Sequence, residues 1–367
     1  MADSINILKI FIGAKSVGRM VISSDRLCVF EYDPEFVSTG FSISPFYLPL
    51  RPGTFTARRE PFEGLFGVFN DSLPDGWGNL LIDRYLASQG IQSQSLSVID
   101  RLSIVGSSGM GAIQYKPDKH IRTKHDIDDL NILATEIEKV LSEVDYTGSL
   151  DILAEKGGSS GGARPKVFVT IKGKPWLVKF PSSYDQSDIG RIEYNYSVIA
   201  KKCGIEMPET ALLEGKYFGV QRFDRDGKKR IHMHTASGLL YASHQFPSLD
   251  YIDLIKATLA LTKDIGEAYK MFRLMVFNIL TGNKDDHAKN FSFIYNSGKW
   301  KLSPAYDLTP NSGFNGNHSS TVAGKGNPSL EDIYEVAGQC GLKSKITKRI
   351  FEEIYDNCVE IRVGNWP

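Results

Sequence analysis

The chain has 367 residues, with 43 Lys+Arg against 43 Asp+Glu and 41% hydrophobic residues. That length exceeds one ordinary compact core and predicts two or three units sharing an interface. The neutral balance excludes a disordered tail protein and argues against a dedicated polyanion binder, so any nucleic-acid role is local or borrowed from a partner.

The opening stretch MADSINILKIFIGAK has no apolar run leading to a small-residue cleavage site, and Leu274–Leu280, interrupted by Asn278, falls far short of the roughly 20 residues of a bilayer span. Cys28, Cys203, Cys340 and Cys358 form no Cys-x-x-Cys pair and read as reduced thiols. A cytoplasmic protein with no membrane association is expected. Strand-like runs at Ile5–Ile12 and Leu27–Tyr32 precede a helix-like stretch, Trp77–Leu86, after Pro74-Asp75-Gly76. The polar stretch Lys116–Asp129 reads as a linker, followed by a helical pattern from Leu130 to Val144. Next come the cluster Gly157–Gly162 and a hairpin pattern, Val167–Ile171, a turn at Gly173 and Trp176–Phe180. Helical periodicity over Glu193–Lys202 gives way to a strand at Tyr217–Phe223. Beyond Pro247 the pattern predicts an amphipathic helix from Ser248, a buried helix over Ile265–Leu280 and a capped start at Ser329-x-x-Asp332. The expectation is an α+β chain of three segments: 1–115, a small α/β subdomain; 116–245, a linker helix and a β-rich lobe; and 246–367, a helical lobe.

The sharpest local feature is Gly282–Ser292, where Asp285 and Asn290 stand five positions apart after a long apolar helix. This is the spacing of a kinase catalytic loop, whose Asp takes the substrate hydroxyl proton and whose Asn holds magnesium. Alone, the loop reads better as a solvated turn capped by Asp285 or Asp286. A second hairpin pattern, Phe291–Tyr295, Asn296-Ser297-Gly298 and Trp300–Leu302, then delivers Asp307, 22 residues after Asp285. Kinases bring a magnesium-binding Asp under the phosphates by this layout. Upstream, Lys156–Lys179 holds six basic residues and no acidic one. Its turn Ser159-Ser160-Gly161-Gly162 reads either as a flexible linker or as a loop whose backbone N–H groups receive phosphate. Lys179 sits in an apolar strand pattern, with Glu193 as a candidate partner in the kinase manner, or is an ordinary edge-strand lysine. Phe223, at the end of the next strand, offers a stacking face for adenine. His232, His234, His244 and His287 lack a helical H-x-x-x-H spacing and read as surface or hydrogen-bonded histidines.

These residues resemble the HipA-type serine/threonine kinases of bacterial toxin-antitoxin modules over almost the whole chain. The resemblance is carried by Phe69–Gly78, Gly106–Ala112, Ser159–Lys166, Trp176–Pro181, Gln221–Arg225, Asp285–Ser292 and Pro304–Leu308. It implies a two-lobed kinase-like fold behind an amino-terminal subdomain, with Asp285 as base, Asn290 and Asp307 on magnesium, Lys179 on the ATP phosphates and autophosphorylation at Ser159. The neighbouring Ser160 stays open as an acceptor. It also implies a small helix-turn-helix antitoxin of HipB type as partner, DNA contact only through that partner, and protein targets such as aminoacyl-tRNA synthetases. Two departures from the family pattern stand out: Gln221 replaces the usual Glu of the hinge motif, and the stretch His232–Ser237 replaces an acidic motif. Two other readings stand beside the kinase: a metal-dependent phosphohydrolase built on Asp285, Asp286, His287 and Asp307, and a pseudokinase-like regulator acting through a DNA-binding partner.

Overall fold

The computed structural model describes residues 5–143, 146–243, 246, 248–364 and 366, so Val144, His244 and Pro247 lie outside the described residues. The chain divides into two compact units, one formed by 1–191 with 210–232 and the other by 192–209 with 233–367.

The first unit holds two antiparallel sheets. Strands β1 (Leu8–Ile12), β2 (Lys15–Ile22), β3 (Cys28–Tyr32), β4 (Thr54–Thr56) and β5 (Ile113–Lys116) lie in the order β4-β3-β2-β1-β5. Alternation sends Leu8, Ile10, Met20 and Phe30 inward with no solvent exposure, and the Phe30 ring meets Tyr32 and Phe69 edge-on. The second sheet joins β6 (Lys166–Ile171), β7 (Lys174–Lys179), β8 (Thr210–Leu213) and β9 (Tyr217–Gln221) in the order β6-β7-β9-β8. The β6–β7 turn places Lys172 and Gly173 at positive φ, the twist a two-residue hairpin requires. Val167, Trp176 and Val178 share a core with Trp77 and Leu81 of the helix Gly76–Ser88, Ile137 of the helix Leu130–Ser142 and Leu153 of the helix Leu150–Gly157. A two-residue hairpin, β10 (Arg225–Asp226) and β11 (Lys229–Arg230), closes the unit.

In the second unit the helix Ile265–Thr281 is the axis of the core. Met271, Phe272, Met275, Val276, Phe277 and Leu280 are fully buried along it. Asp264 caps its first turn by accepting from the Gly266 N–H, and Gly282 ends it at φ 66°. The preceding helix runs Tyr251–Thr262 and starts after Asp250 rather than at Ser248. Asp250 and Asp253 form a reciprocal capping box, whereas the Ser248 hydroxyl donates to the Ser243 carbonyl. The capped start at Ser329 and Asp332 forms as expected and opens the helix Leu330–Gln339, followed by Ser344–Asn357. A three-stranded sheet orders β12 (His232–Thr235), β14 (Ser292–Asn296) and β15 (Lys299–Leu302), while β13 (Leu249–Asp250) pairs in parallel with β16 (Ser320–Thr321). Burial pushes the free thiols of Cys28 and Cys203 up to about 12, which keeps them protonated at neutral pH. Among the described residues no helix is long and apolar enough to cross a membrane.

Candidate active site

The candidate residues divide between the units. The first unit carries Ser159, Ser160, Gly161, Gly162, Lys179, Gln221 and Phe223; the second carries Glu193, Asp285, Asn290 and Asp307.

In the first unit the glycine-rich turn is tied down, which removes the flexible-linker reading. The Gly162 N–H donates to the Asp75 carboxylate at 3.0 Å, the Trp77 N–H to the Gly162 carbonyl at 3.2 Å, and the Trp77 indole to the Lys166 carbonyl at 2.9 Å. The fit against the 74–78 corner requires glycine at 78, where a Cβ would lie 2.8 Å from the carbonyl oxygens of both Gly158 and Ser160. Both serines are buried: the Ser159 hydroxyl donates to the Ser108 carbonyl at 3.1 Å and that of Ser160 to Gly157 at 2.6 Å. The charge of the basic stretch is partly diverted, because Lys156 pairs with Asp126 and Arg164 with Asp185.

Lys179 ends β7, 8% exposed, directly opposite Lys166 on β6 and Phe218 on β9. Its ammonium lies 5.7 Å from the Phe218 ring centroid. Lys166, also buried, donates to the Gly161 carbonyl at 2.7 Å. Paired across the ladder, Lys166 and Lys179 place two buried ammonium side chains on the same face of this sheet. Gln221 is the last residue of β9, opposite Trp176, and Phe223 lies half-buried beyond the strand. The strand stops short of Phe223 because the next residues turn onto Asp224, which is 2% exposed and bonded by Arg222 and Arg225. Burial alone would raise the Asp224 pKa; the two guanidinium groups and the Gly111 N–H outweigh it and hold the carboxyl below its ordinary value.

In the second unit the chain leaves Gly282 and passes through Asp285, exposed, and Asp286, with no exposure, into a short turn, Ala288–Asn290, and then β14. The Asn290 side-chain amide donates to the Asp285 backbone carbonyl at 2.6 Å, which brings these two residues together. The expected hairpin forms with Phe293 opposite Leu302 and Tyr295 opposite Trp300, and its turn residues Ser297 and Gly298 take positive φ. Beyond it the Tyr306 hydroxyl donates to the Lys289 carbonyl at 2.6 Å, which draws the segment carrying Asp307 onto the turn that carries Asn290. Asp307 itself sits at φ 58°, an uncommon backbone for a non-glycine residue and one that accumulates at functional sites.

Sequence reasoning named Asp286 as a turn cap or a hydrolase ligand and passed over the partners through which it holds this loop. The Asp286 carboxylate accepts from the Tyr251 hydroxyl at 2.7 Å, His318 Nδ1 at 2.9 Å and the N–H groups of Ser319 and Ser320 at 2.8 and 3.3 Å. Asn278 donates to the same Tyr251 oxygen. Burial, followed by the Asp286 charge, pushes the Tyr251 phenol well above its ordinary pKa, so it remains a donor. Asp286 is thus spent on structure, and His287 Nδ1 accepts from the Lys289 N–H, which leaves the phosphohydrolase reading without two of its four groups. His318 lies 32 residues from Asp286, a separation no local pattern signals.

Among the described residues no three His, Cys, Asp or Glu side chains converge as a ready-made metal cluster. Magnesium seldom needs one, since it keeps several waters and takes one or two protein oxygens plus phosphate oxygens. The donor chemistry fits: the Asn290 amide nitrogen is engaged, leaving its oxygen as the acceptor arm, and Asp307 adds a carboxylate on the segment that Tyr306 ties to the same turn.

The HipA-like C-terminal domain pattern matches residues 158–361, and the HipA N-terminal domain pattern matches residues 8–116. The chain belongs to the HipA family. As a HipA-family chain it is 26% identical over 287 residues to the protein described as "Putative kinase Y4dM" of Sinorhizobium fredii, covering 70% of this chain and 68% of that relative. It is likewise 26% identical over 298 residues to Y4mE of the same organism, covering 71% and 66%. These matches span about two thirds of each relative's own length. Among solved structures it is similar to HipA in the Shewanella oneidensis MR-1 complex of HipA, HipB and operator DNA, with TM-score 0.73 and 18% identity over 95% of this chain and 88% of that one. The fold is therefore the mixed α+β arrangement that the motifs implied, an amino-terminal sheet domain followed by a kinase-like fold.

Proposed function

We propose that this HipA-family chain is an ATP- and magnesium-dependent serine/threonine protein kinase. The observation that carries the reading is the turn 285–290, where the Asn290 amide donates to the Asp285 carbonyl and Tyr306, the residue before Asp307, donates to the Lys289 carbonyl. Asp285 takes the proton of a protein Ser or Thr hydroxyl as its oxygen attacks the γ-phosphorus, the bond to the β-phosphate oxygen breaks, and ADP leaves. Asn290 and Asp307 would hold magnesium, which when bound neutralises phosphate charge. Lys179 and the glycine-rich turn receive the phosphates, the turn through the N–H groups of Ser159 and Gly161, since those of Ser160 and Gly162 are held by the Gly157 carbonyl and the Asp75 carboxylate. The proposed partner is a helix-turn-helix antitoxin of HipB type, with DNA reached through it, and aminoacyl-tRNA synthetases are the first targets to try. Incubation with γ-labelled ATP tests the reading: label on protein supports it, release of free phosphate points to the hydrolase, and neither points to the pseudokinase-like regulator.

Asn tolerates left-handed backbone, so Asp307→Asn keeps the fold while removing a metal-binding charge. Its thermal midpoint should match wild type while nucleotide affinity in magnesium drops at least about tenfold, measured by titration with and without the ion. Unchanged affinity would make Asp307 a turn residue only. Phosphate on Ser159 would add a charge of about −1.5 to −2 to the turn whose Gly161 carbonyl holds Lys166 and could not occupy the hydroxyl's place on Ser108. Nucleotide binding by the phosphorylated form should therefore be weakened, checked by mass spectrometry and binding measurements on separated forms. A phospho-Ser159 form that binds ATP normally would defeat this off switch.

A further inference from the structure

The Gly106–Ala112 motif has no part in the chemistry above, yet its backbone is one of the most heavily bonded in the first unit. Gly106 leaves the preceding helix at φ 52°, and the Ser107 N–H donates to the Asp118 carboxylate at 3.3 Å. The Gly111 N–H donates to Asp224 at 2.8 Å. The carbonyl groups take charged donors from the β10–β11 hairpin. Arg225 donates to Gly109 at 2.9 Å and Gly111 at 3.0 Å, and Arg230 donates to Ser107, Gly109 and Gly111. Between these clasped groups, the Ser108 carbonyl accepts the hydroxyl of Ser159.

Holding two guanidinium groups out of water has a cost. Burial pulls Arg225 down to about 9 and Arg230 down to about 10, and both remain cations at neutral pH. Charge-assisted bonds to carbonyl oxygens offset that cost only while the loop keeps its shape, so the arginines and the loop stabilise one conformation together. In that conformation the Ser108 oxygen points at the glycine-rich turn.

We propose that the Gly106–Gly111 loop is a receptor that holds the Ser159 hydroxyl in its buried position, and that Arg230 is a positioning residue setting how readily the glycine-rich turn leaves it. The last step of this inference, that leaving exposes Ser159 to phosphorylation, rests on the kinase reading above; the docking itself does not. A hydroxyl that donates to Ser108 is withheld from phosphorus until that bond opens. Loosening the clasp therefore raises the rate at which Ser159 is modified, a gain that damage to the fold would not produce.

Amide hydrogen exchange on the full chain, with and without γ-labelled ATP, tests the proposal on Arg230→Met, Arg230→Lys and Ser159→Ala. Arg230→Met should speed exchange at 159–162 by at least about tenfold and raise initial labelling of Ser159 by a similar factor, while β6 and β7 keep wild-type protection. Arg230→Lys, which reaches fewer of the carbonyl groups, should fall between Arg230→Met and wild type. Ser159→Ala, which leaves the clasp intact, should loosen 159–162 and not 106–111, and it serves even if Arg230→Met fails to fold. The proposal is overturned if 159–162 keeps wild-type protection in Ser159→Ala, or in a folded Arg230→Met whose 106–111 amides have loosened. The expected exchange pattern with no label on Ser159 in any form would support the receptor while sinking autophosphorylation.

Discussion

Asp285→Asn is expected to lower protein labelling from γ-labelled ATP by roughly 10²- to 10⁴-fold, the contribution of a positioned general base, with nucleotide affinity left within about twofold of wild type. The substitution keeps the shape of the side chain and removes its ability to take a proton. It leaves in place the backbone carbonyl that accepts from Asn290. Loss of binding along with turnover would instead place Asp285 among the metal-holding groups, and undiminished labelling would remove it from the reaction. The same measurement separates the hydrolase, because a phosphohydrolase relying on Asp285 would lose release of free phosphate and never label protein.

What the sequence made legible was local. Turn residues at Asn296-Ser297-Gly298, the capping pair Ser329 and Asp332 and the apolar run over Ile265–Leu280 each act within a few positions, and each element formed where its pattern put it. The Asp285 to Asn290 spacing belongs to this class, since a single turn closes the bond between them. Strand β2 escaped notice because Gly18 interrupts its alternation. The basic stretch looked more cationic than it is, since Asp126 and Asp185, which neutralise two of its members, lie outside the window in which charge was counted. The anchoring roles of Tyr306 and Asp286 were illegible for a different reason. Their partners Lys289, Tyr251, His318 and Ser319 become neighbours only once the helices and hairpin have packed, and no period in the sequence encodes such a meeting.

Asp286 gives the second large effect, and one that tells structure from chemistry. Asp286→Ala leaves the Tyr251 hydroxyl, His318 Nδ1 and the Ser319 and Ser320 N–H groups facing a buried void, and removing a buried charge from its partners costs about 3–5 kcal/mol. The thermal midpoint of the second unit should fall by several degrees, with phosphoryl transfer falling too because the loop carrying Asp285 loses its anchor. Asp286→Asn should be far milder. Its oxygen can still accept from Ser319 and Ser320, while its NH₂ can donate to the Tyr251 oxygen and to a neutral His318 ring, so most of the network is satisfied in a new polarity. A metal ligand would behave otherwise: the Asn variant would lose activity steeply and recover it with added magnesium. The decisive comparison is thermal unfolding and labelling of the Ala and Asn variants across a magnesium series. Similar midpoints for Asp286→Ala and wild type, or magnesium-dependent rescue of Asp286→Asn, would return Asp286 to the reacting groups and reopen the hydrolase reading.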